Sequence, residues 1–111
     1  MSVVGVAAGI GLAAVVQSAP AGADQIGYLV NVTVRPGYNF ANAQAALDYG
    51  YGLCGRVESG QSFGEMATVI RSDFHTSDEQ MVSYLLSQAT QELCPAQIWQ
   101  LRRSAVGYRA P

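Results

Sequence analysis

The chain has two cysteines, Cys54 and Cys94, and each closes an alanine-containing stretch with helical periodicity. The first stretch begins near Asn42 and the second near Thr76. With no third cysteine, only one connectivity exists if the two pair. Such a bridge would close a loop of about 40 positions, worth about 4 kcal/mol in the chain-entropy account. That is a large share of a small domain's net stability, commonly about 5–15 kcal/mol. Two free thiols are the alternative. There is no Cys-x-x-Cys redox motif, and two cysteines alone make no zinc site.

Met1 to Ala23 carries no charged residue. Val3 to Val16 is almost entirely apolar, and Gln17, Ser18, Pro20 and the small triplet Ala21-Gly22-Ala23 follow. That order reads as a secretory signal peptide, residues 1–23, cut after Ala23. One usual part is missing, since no Lys or Arg precedes the apolar run. A retained membrane anchor is the alternative, although Gly, Ala and Ser dominate where a stable span carries more Leu and Ile. Cleavage leaves residues 24–111 as a single domain, small enough for a covalent staple to matter. Export would also supply the oxidising surroundings in which a disulfide persists. The expected localisation is secreted or cell envelope, with membrane contact only through the signal peptide before cleavage.

All six basic residues are arginines, scattered except for Arg102-Arg103 and Arg109. This is not the basic stripe that nucleic-acid binding needs. With 13% charged residues and 50% hydrophobic ones, the composition is that of a packed domain and not of a disordered one.

Asp24 to Arg35 fits either a helix, with Ile26, Leu29, Val30 and Thr33 on its face, or a strand, with Tyr28, Val30, Val32 and Val34 alternating. A lone strand has no partner in an otherwise helical chain, so a helix capped by Asp24 and ended by Pro36-Gly37 is predicted. The next helix runs from Ala43 to about Glu58, capped by Asn42 and stopped at Ser59-Gly60. Ala43, Ala46, Leu47, Gly50, Cys54 and Val57 share its apolar face, and Gly50 there predicts a close neighbour. Ser62-Phe63-Gly64-Glu65 is a capping box that opens a helix over 62–74, and Thr76-Ser77-Asp78-Glu79 is a second such box. The helix after it presents Val82, Leu85, Leu86, Ala89 and Leu93 and runs to about Cys94. Pro95 predicts a bend, then a short helix from Ala96 to about Ser104. The tail 105–111 has no period and is expected to fray. The fold class is therefore all-α, a small bundle of four or five short helices.

Three features carry a resemblance: Gly50 four residues before Cys54, the turn Val57-Glu58-Ser59-Gly60-Gln61-Ser62, and the ending Gln91-Glu92-Leu93-Cys94-Pro95. Over roughly Asp24 to Trp99 the chain resembles a family of small exported mycobacterial proteins known as domain of unknown function 732. The resemblance implies a secreted α-helical domain stapled by one disulfide between Cys54 and Cys94. It supports helix over strand for 25–35 and brings no catalytic residues. Gly37-Tyr38-Asn39-Phe40 and the Trp99 to Tyr108 ending are more aromatic than the family pattern, so a role particular to this member is expected there.

Little in the chain points to catalysis. His75 is the sole histidine, and a hydrolase would need it beside a carboxylate and a hydroxyl. Asp73, Asp78, Ser72, Thr76 and Ser77 are near it in sequence, but a helix connection draws such residues as caps. Haem would want His75 or a tyrosine as axial ligand, and no attachment motif is present. No enzyme activity, cofactor or metal is expected. The reading is a non-catalytic binding or interaction module with a cell-envelope or host protein as partner. Its expected surface is the aromatic and arginine-rich ending, Trp99, Arg102, Arg103, Tyr108 and Arg109, whose removal should leave the fold intact. A carrier of a small apolar ligand, lipid or haem, is the alternative.

Overall fold

The structure, a computed structural model, describes residues 22–111. The expected signal peptide lies outside the described residues except for Gly22 and Ala23. Among the described residues there are five α-helices and no strand: α1 Gln25–Thr33, α2 Ala43–Glu58, α3 Phe63–Phe74, α4 Glu79–Gln88 and α5 Ile98–Ser104. A π-helical turn, Ala89–Leu93, extends α4, and a 3-10 turn, Pro95–Gln97, leads into α5. No described helix is long and apolar enough to cross a membrane.

The helix starts follow from side-chain caps that satisfy orphan N–H groups. Asp24 accepts from Gly27 N, Asn42 from Ala45 N and Ser62 from Glu65 N, and Glu65 closes the box by accepting from Ser62 N. The expected second box does not form. Asp78 is the cap of α4 and accepts from Gln80 N and Met81 N, while Thr76 Oγ1 takes the N–H of Asp78. The reason lies one helix earlier. The Thr76 N–H already donates to Arg71 O, and that of His75 to Ser72 O, closing α3 in a Schellman turn. Glu79 is thus left free to pair elsewhere.

Core packing centres on α2. The buried side chains come from every helix: Tyr28 and Val32, Leu53 and Val57, Met66 and Ile70, Val82, Leu85 and Leu86, then Leu93 and Leu101. Gly50 is the crossing point. A Cβ there would lie 2.5 Å from Leu93 Cδ1 and 2.7 Å from Tyr28 Cζ, so both neighbours occupy the place of a side chain. The Tyr28 hydroxyl donates to Ala46 O at 2.8 Å one turn away, and burial holds that phenol well above its usual range. Cys54 and Cys94 are disulfide-bonded with Cα atoms 6.1 Å apart, at the end of the same contact.

The continuous α-helix expected up to Cys94 is instead α as far as Gln88 and π from Ala89 to Leu93. Such a turn accommodates one extra residue in the helical ladder. Its buried Thr90 hydroxyl donates to Leu86 O at 2.8 Å, so no polar side chain is stranded there.

The tail departs from expectation too. Tyr108 packs at a tilt against Phe63, ring centroids 4.9 Å apart, and its hydroxyl joins Arg71 and Glu79. Ser104 Oγ accepts from Phe63 N at 3.0 Å, and Gln100 Nε2 donates to Val57 O. The ending is therefore docked as far as Tyr108, and its removal would strip the buried Leu101 from the core and the half-buried Tyr108 from its edge.

Gly50→Ala is expected to destabilise the domain by about 1–3 kcal/mol, as overpacking does where two neighbours must move. Gly52→Ala, where an added Cβ meets nothing within 4 Å, is expected to be neutral or slightly stabilising. Chemical denaturation of the two variants checks the contrast.

Candidate interaction surfaces

The His75 neighbourhood is a helix junction. His75 is exposed and sits in the left-handed conformation, φ 50°, as the residue after α3. Asp73 accepts the Tyr49 hydroxyl at 2.7 Å, and Asp78 is spent as the α4 cap. The pocketed histidine with a free carboxylate and hydroxyl that a hydrolase would need is not formed. No group of three metal-ligating side chains occurs among the described residues.

The aromatic segment around Tyr38 and Phe40, expected to be particular to this member, is packed inward. Tyr38 is buried and donates to Met81 O at 2.6 Å, and its phenol is pushed up to about 12, chiefly by burial. Phe40 stacks on it, and Phe74 meets Tyr38, Phe40 and Tyr49 edge-on, with centroids 5.2–6.1 Å apart across the cluster. The cluster clamps the α1–α2 loop to α2 and to the end of α3. Every tyrosine hydroxyl has a protein partner. Besides Tyr28, Tyr38 and Tyr49, Tyr84 donates to Asn31 O, Tyr51 accepts from Gln25 Nε2, and Tyr108 donates to Glu79 Oε1 at 2.6 Å.

The residues expected to form a C-terminal surface separate into two groups. Trp99 is 63% exposed with the Arg102 guanidinium 5.1 Å from its ring centre, and Arg103 and Arg109 are exposed. Tyr108 is instead half-buried against Phe63. Arg71 Nη1 donates to Glu79 Oε2 at 2.7 Å and to the Tyr108 hydroxyl at 3.0 Å, so the three side chains form a closed triangle. The hydrogen bond from Tyr108, then Arg71, holds the Glu79 carboxyl below the usual carboxylate range.

A second surface escaped the sequence reading. Of the expected face of α1, Ile26 is 75% exposed, Val30 53% exposed and Thr33 exposed, while Leu29 is half-buried, and Val34 at the end of the helix is 73% exposed. The helix docks through Tyr28 and Val32, with Asn31 Nδ2 donating to Gln88 Oε1 at 2.7 Å. Both sides of α1 are apolar, so periodicity cannot choose between them. The usable signal was the polar flank, because Gln25, Tyr28 and Asn31 all need partners and lie on the docked side. Beside the outward row, Leu29, Val32, Thr33, Phe40 and Ala43 line a cleft of about 380 Å³ between α1 and α2. A second cleft of about 310 Å³ reaches Cys54 and Cys94 between Tyr51, Glu58 and Gln97.

His75→Gly is expected to stabilise the domain by about 1 kcal/mol, because glycine takes the left-handed position without a Cβ penalty. Glu79→Gln tests the triangle. The Glu79 pKa is lowered on folding, so its contribution is present above the ordinary carboxylate range and is lost as pH falls through the folded value. The variant is expected to melt below the parent at neutral pH and to converge with it in acid, while Trp99→Ala stays close to the parent at every pH. Thermal unfolding followed across pH checks both.

Among curated proteins and among solved structures, none matches the chain. A family match covers residues 23–96, from the cap of α1 through the disulfide to the 3-10 turn, and includes Gly50 and both cysteines. The chain belongs to the family described as Protein of unknown function (DUF732).

Proposed function

We propose that the chain is a secreted, non-catalytic interaction module that binds a cell-envelope or host protein through the outward face of α1. The observation carrying this reading is the uncharged row Ile26, Val30 and Val34, spaced one helical turn apart and left in solvent while the rest of the helix is docked. Contiguous aliphatic residues on one helix face fit a partner that brings its own apolar surface. Trp99 with Arg102 offers a smaller second contact of the type enriched at interfaces. The disulfide and the leader-like first 23 residues support an extracytoplasmic setting.

A second reading, a carrier of a small apolar ligand, is favoured by the α1–α2 cleft. Its volume lies at the lower end of what ligand sites use, roughly 300–1,000 Å³, with Leu29, Val32, Phe40 and Ala43 giving it an apolar side and Thr33, Arg35, Asn39 and Asn42 a polar one.

Ile26→Ser/Val30→Ser/Val34→Ser and Trp99→Ala/Arg102→Ala are the informative variants, since exposed substitutions change stability by only about 0.5 kcal/mol. The α1 triple variant is expected to lose at least tenfold in affinity for a partner identified by crosslinking to the exported protein, and the C-terminal pair to lose less. The reverse order would move the interface to the ending. Native mass spectrometry of the exported protein addresses the carrier: a bound small molecule that survives purification favours it, and a bare mass favours the interaction module.

A further inference from the structure

We propose that the Glu92 carbonyl is the seat of a free α-ammonium group on Asp24, created by cleavage after Ala23, and that this maturation tightens the attachment of α1 to the core. The proposal rests on the cut site read from the sequence. The backbone N–H of Asp24 donates to Glu92 O, a contact between the start of α1 and the end of the α4–π segment. Carbonyls at a helix C-terminus lack intrahelical partners and carry the negative end of the dipole, so they suit a cation. Asp24 also caps α1, and an added Cβ on Gly27 would lie 2.6 Å from its carboxylate oxygen. Residue 24 is thus the pin that holds the start of this helix.

Hydrolysis of the Ala23–Asp24 peptide breaks its C–N bond. Water supplies the oxygen of the Ala23 carboxylate, and the protons complete the Asp24 ammonium. An amide offers one N–H to Glu92. The ammonium keeps that contact, makes it charge-assisted and roughly twice as strong, and has two donors left for water and the Asp24 carboxylate. The opposing effect is the positive end of the α1 dipole. It is offset by the negative end of the α4–π segment, since each helix terminus carries about half an elementary charge, so the charge-assisted bond decides the sign.

The titratable groups around the site are few. The Asp24 carboxylate belongs to the start of α1 itself and that of Glu92 to the π turn. Tyr51, on α2, accepts from Gln25 Nε2 at 2.9 Å. The 3-10 turn Pro95–Gln97 brings no titratable side chain, and the one histidine lies at the end of α3. An α-amino group ordinarily titrates near 7.7–8.0. Docking raises it in the folded state, so the stabilisation is complete below the unfolded value and is lost as pH rises through the folded one.

Every buried core side chain among the described residues lies between Tyr28 and Leu101, so a chain starting at Asp24 retains them all. Three forms test the proposal: residues 24–111 with a free amine, the same chain N-acetylated, and the chain retaining Gly22-Ala23. At about pH 6.5 the free-amine form is expected to melt about 4–8 °C above the acetylated one, the shift that one added charge-assisted bond gives a domain of this size. The gap should close above about pH 9, and the Gly22-Ala23 form should melt with the acetylated one. Equal midpoints at about pH 6.5, or a gap unchanged to about pH 10, would overturn the ammonium site. The mass of the exported protein judges the cut site separately. A start other than Asp24 defeats that reading, whereas equal midpoints with an Asp24 start defeat the ammonium site alone.

Discussion

Gly50 has no side chain where three segments meet, and the rest of the bundle is arranged around that vacancy. Tyr28 of α1 enters from one side and Leu93 of the π turn from the other. Their approach brings α1 and the end of α4 onto the same stretch of α2, and the Cys54–Cys94 bridge then locks it. A loop of that length is worth about 4 kcal/mol by the chain-entropy account. The same closeness lets Tyr28 reach Ala46 O and lets the start of α1 reach Glu92 O. A methyl group at position 50 opposes all of these contacts at once.

Around that junction the polar groups are spent internally. Six tyrosine hydroxyls, the caps of four helices and the Arg71–Glu79–Tyr108 triangle leave no buried side-chain polar atom without a partner among the described residues. The large hydrophobic side chains left in solvent are Ile26, Val30 and Val34 on α1, with Trp99 and Val106 at the ending. The one histidine serves as a turn residue in solvent.

Local signals in the sequence were read well because they depend on neighbours a few residues away. Asn42, Ser62 and Glu65 cap as their spacing predicted, Asp24 caps α1, and helix won over strand for 25–33. Thr76 with Glu79 has the spacing of a capping box too. It fails because the Thr76 N–H is taken by α3 and the Glu79 carboxylate by Arg71 and Tyr108, which lie far away in sequence. The candidate surface was half legible. Trp99, Arg102, Arg103 and Arg109 are exposed as expected, whereas Tyr108 is not, because its docking depends on Phe63 and Arg71. The π turn left no mark in the pattern, since Val82, Leu85, Leu86, Ala89 and Leu93 fit an α-helix equally well.

By itself the sequence determined that the chain is helical, where three helices begin, that position 50 admits a close neighbour, and that two cysteines are available to bridge. These follow from periodicity, capping and the absence of a side chain, all properties of a few adjacent residues. Only the tertiary structure decided which apolar side of α1 is buried, which residues fill the space at Gly50, and that the tail docks through Tyr108. Those outcomes turn on hydrogen-bond partners and steric room supplied by segments dozens of residues distant. When both sides of a short helix are apolar, burial of either lowers the free energy by similar amounts. The choice then falls to the polar groups, here Gln25, Tyr28 and Asn31, that must find partners on the buried side.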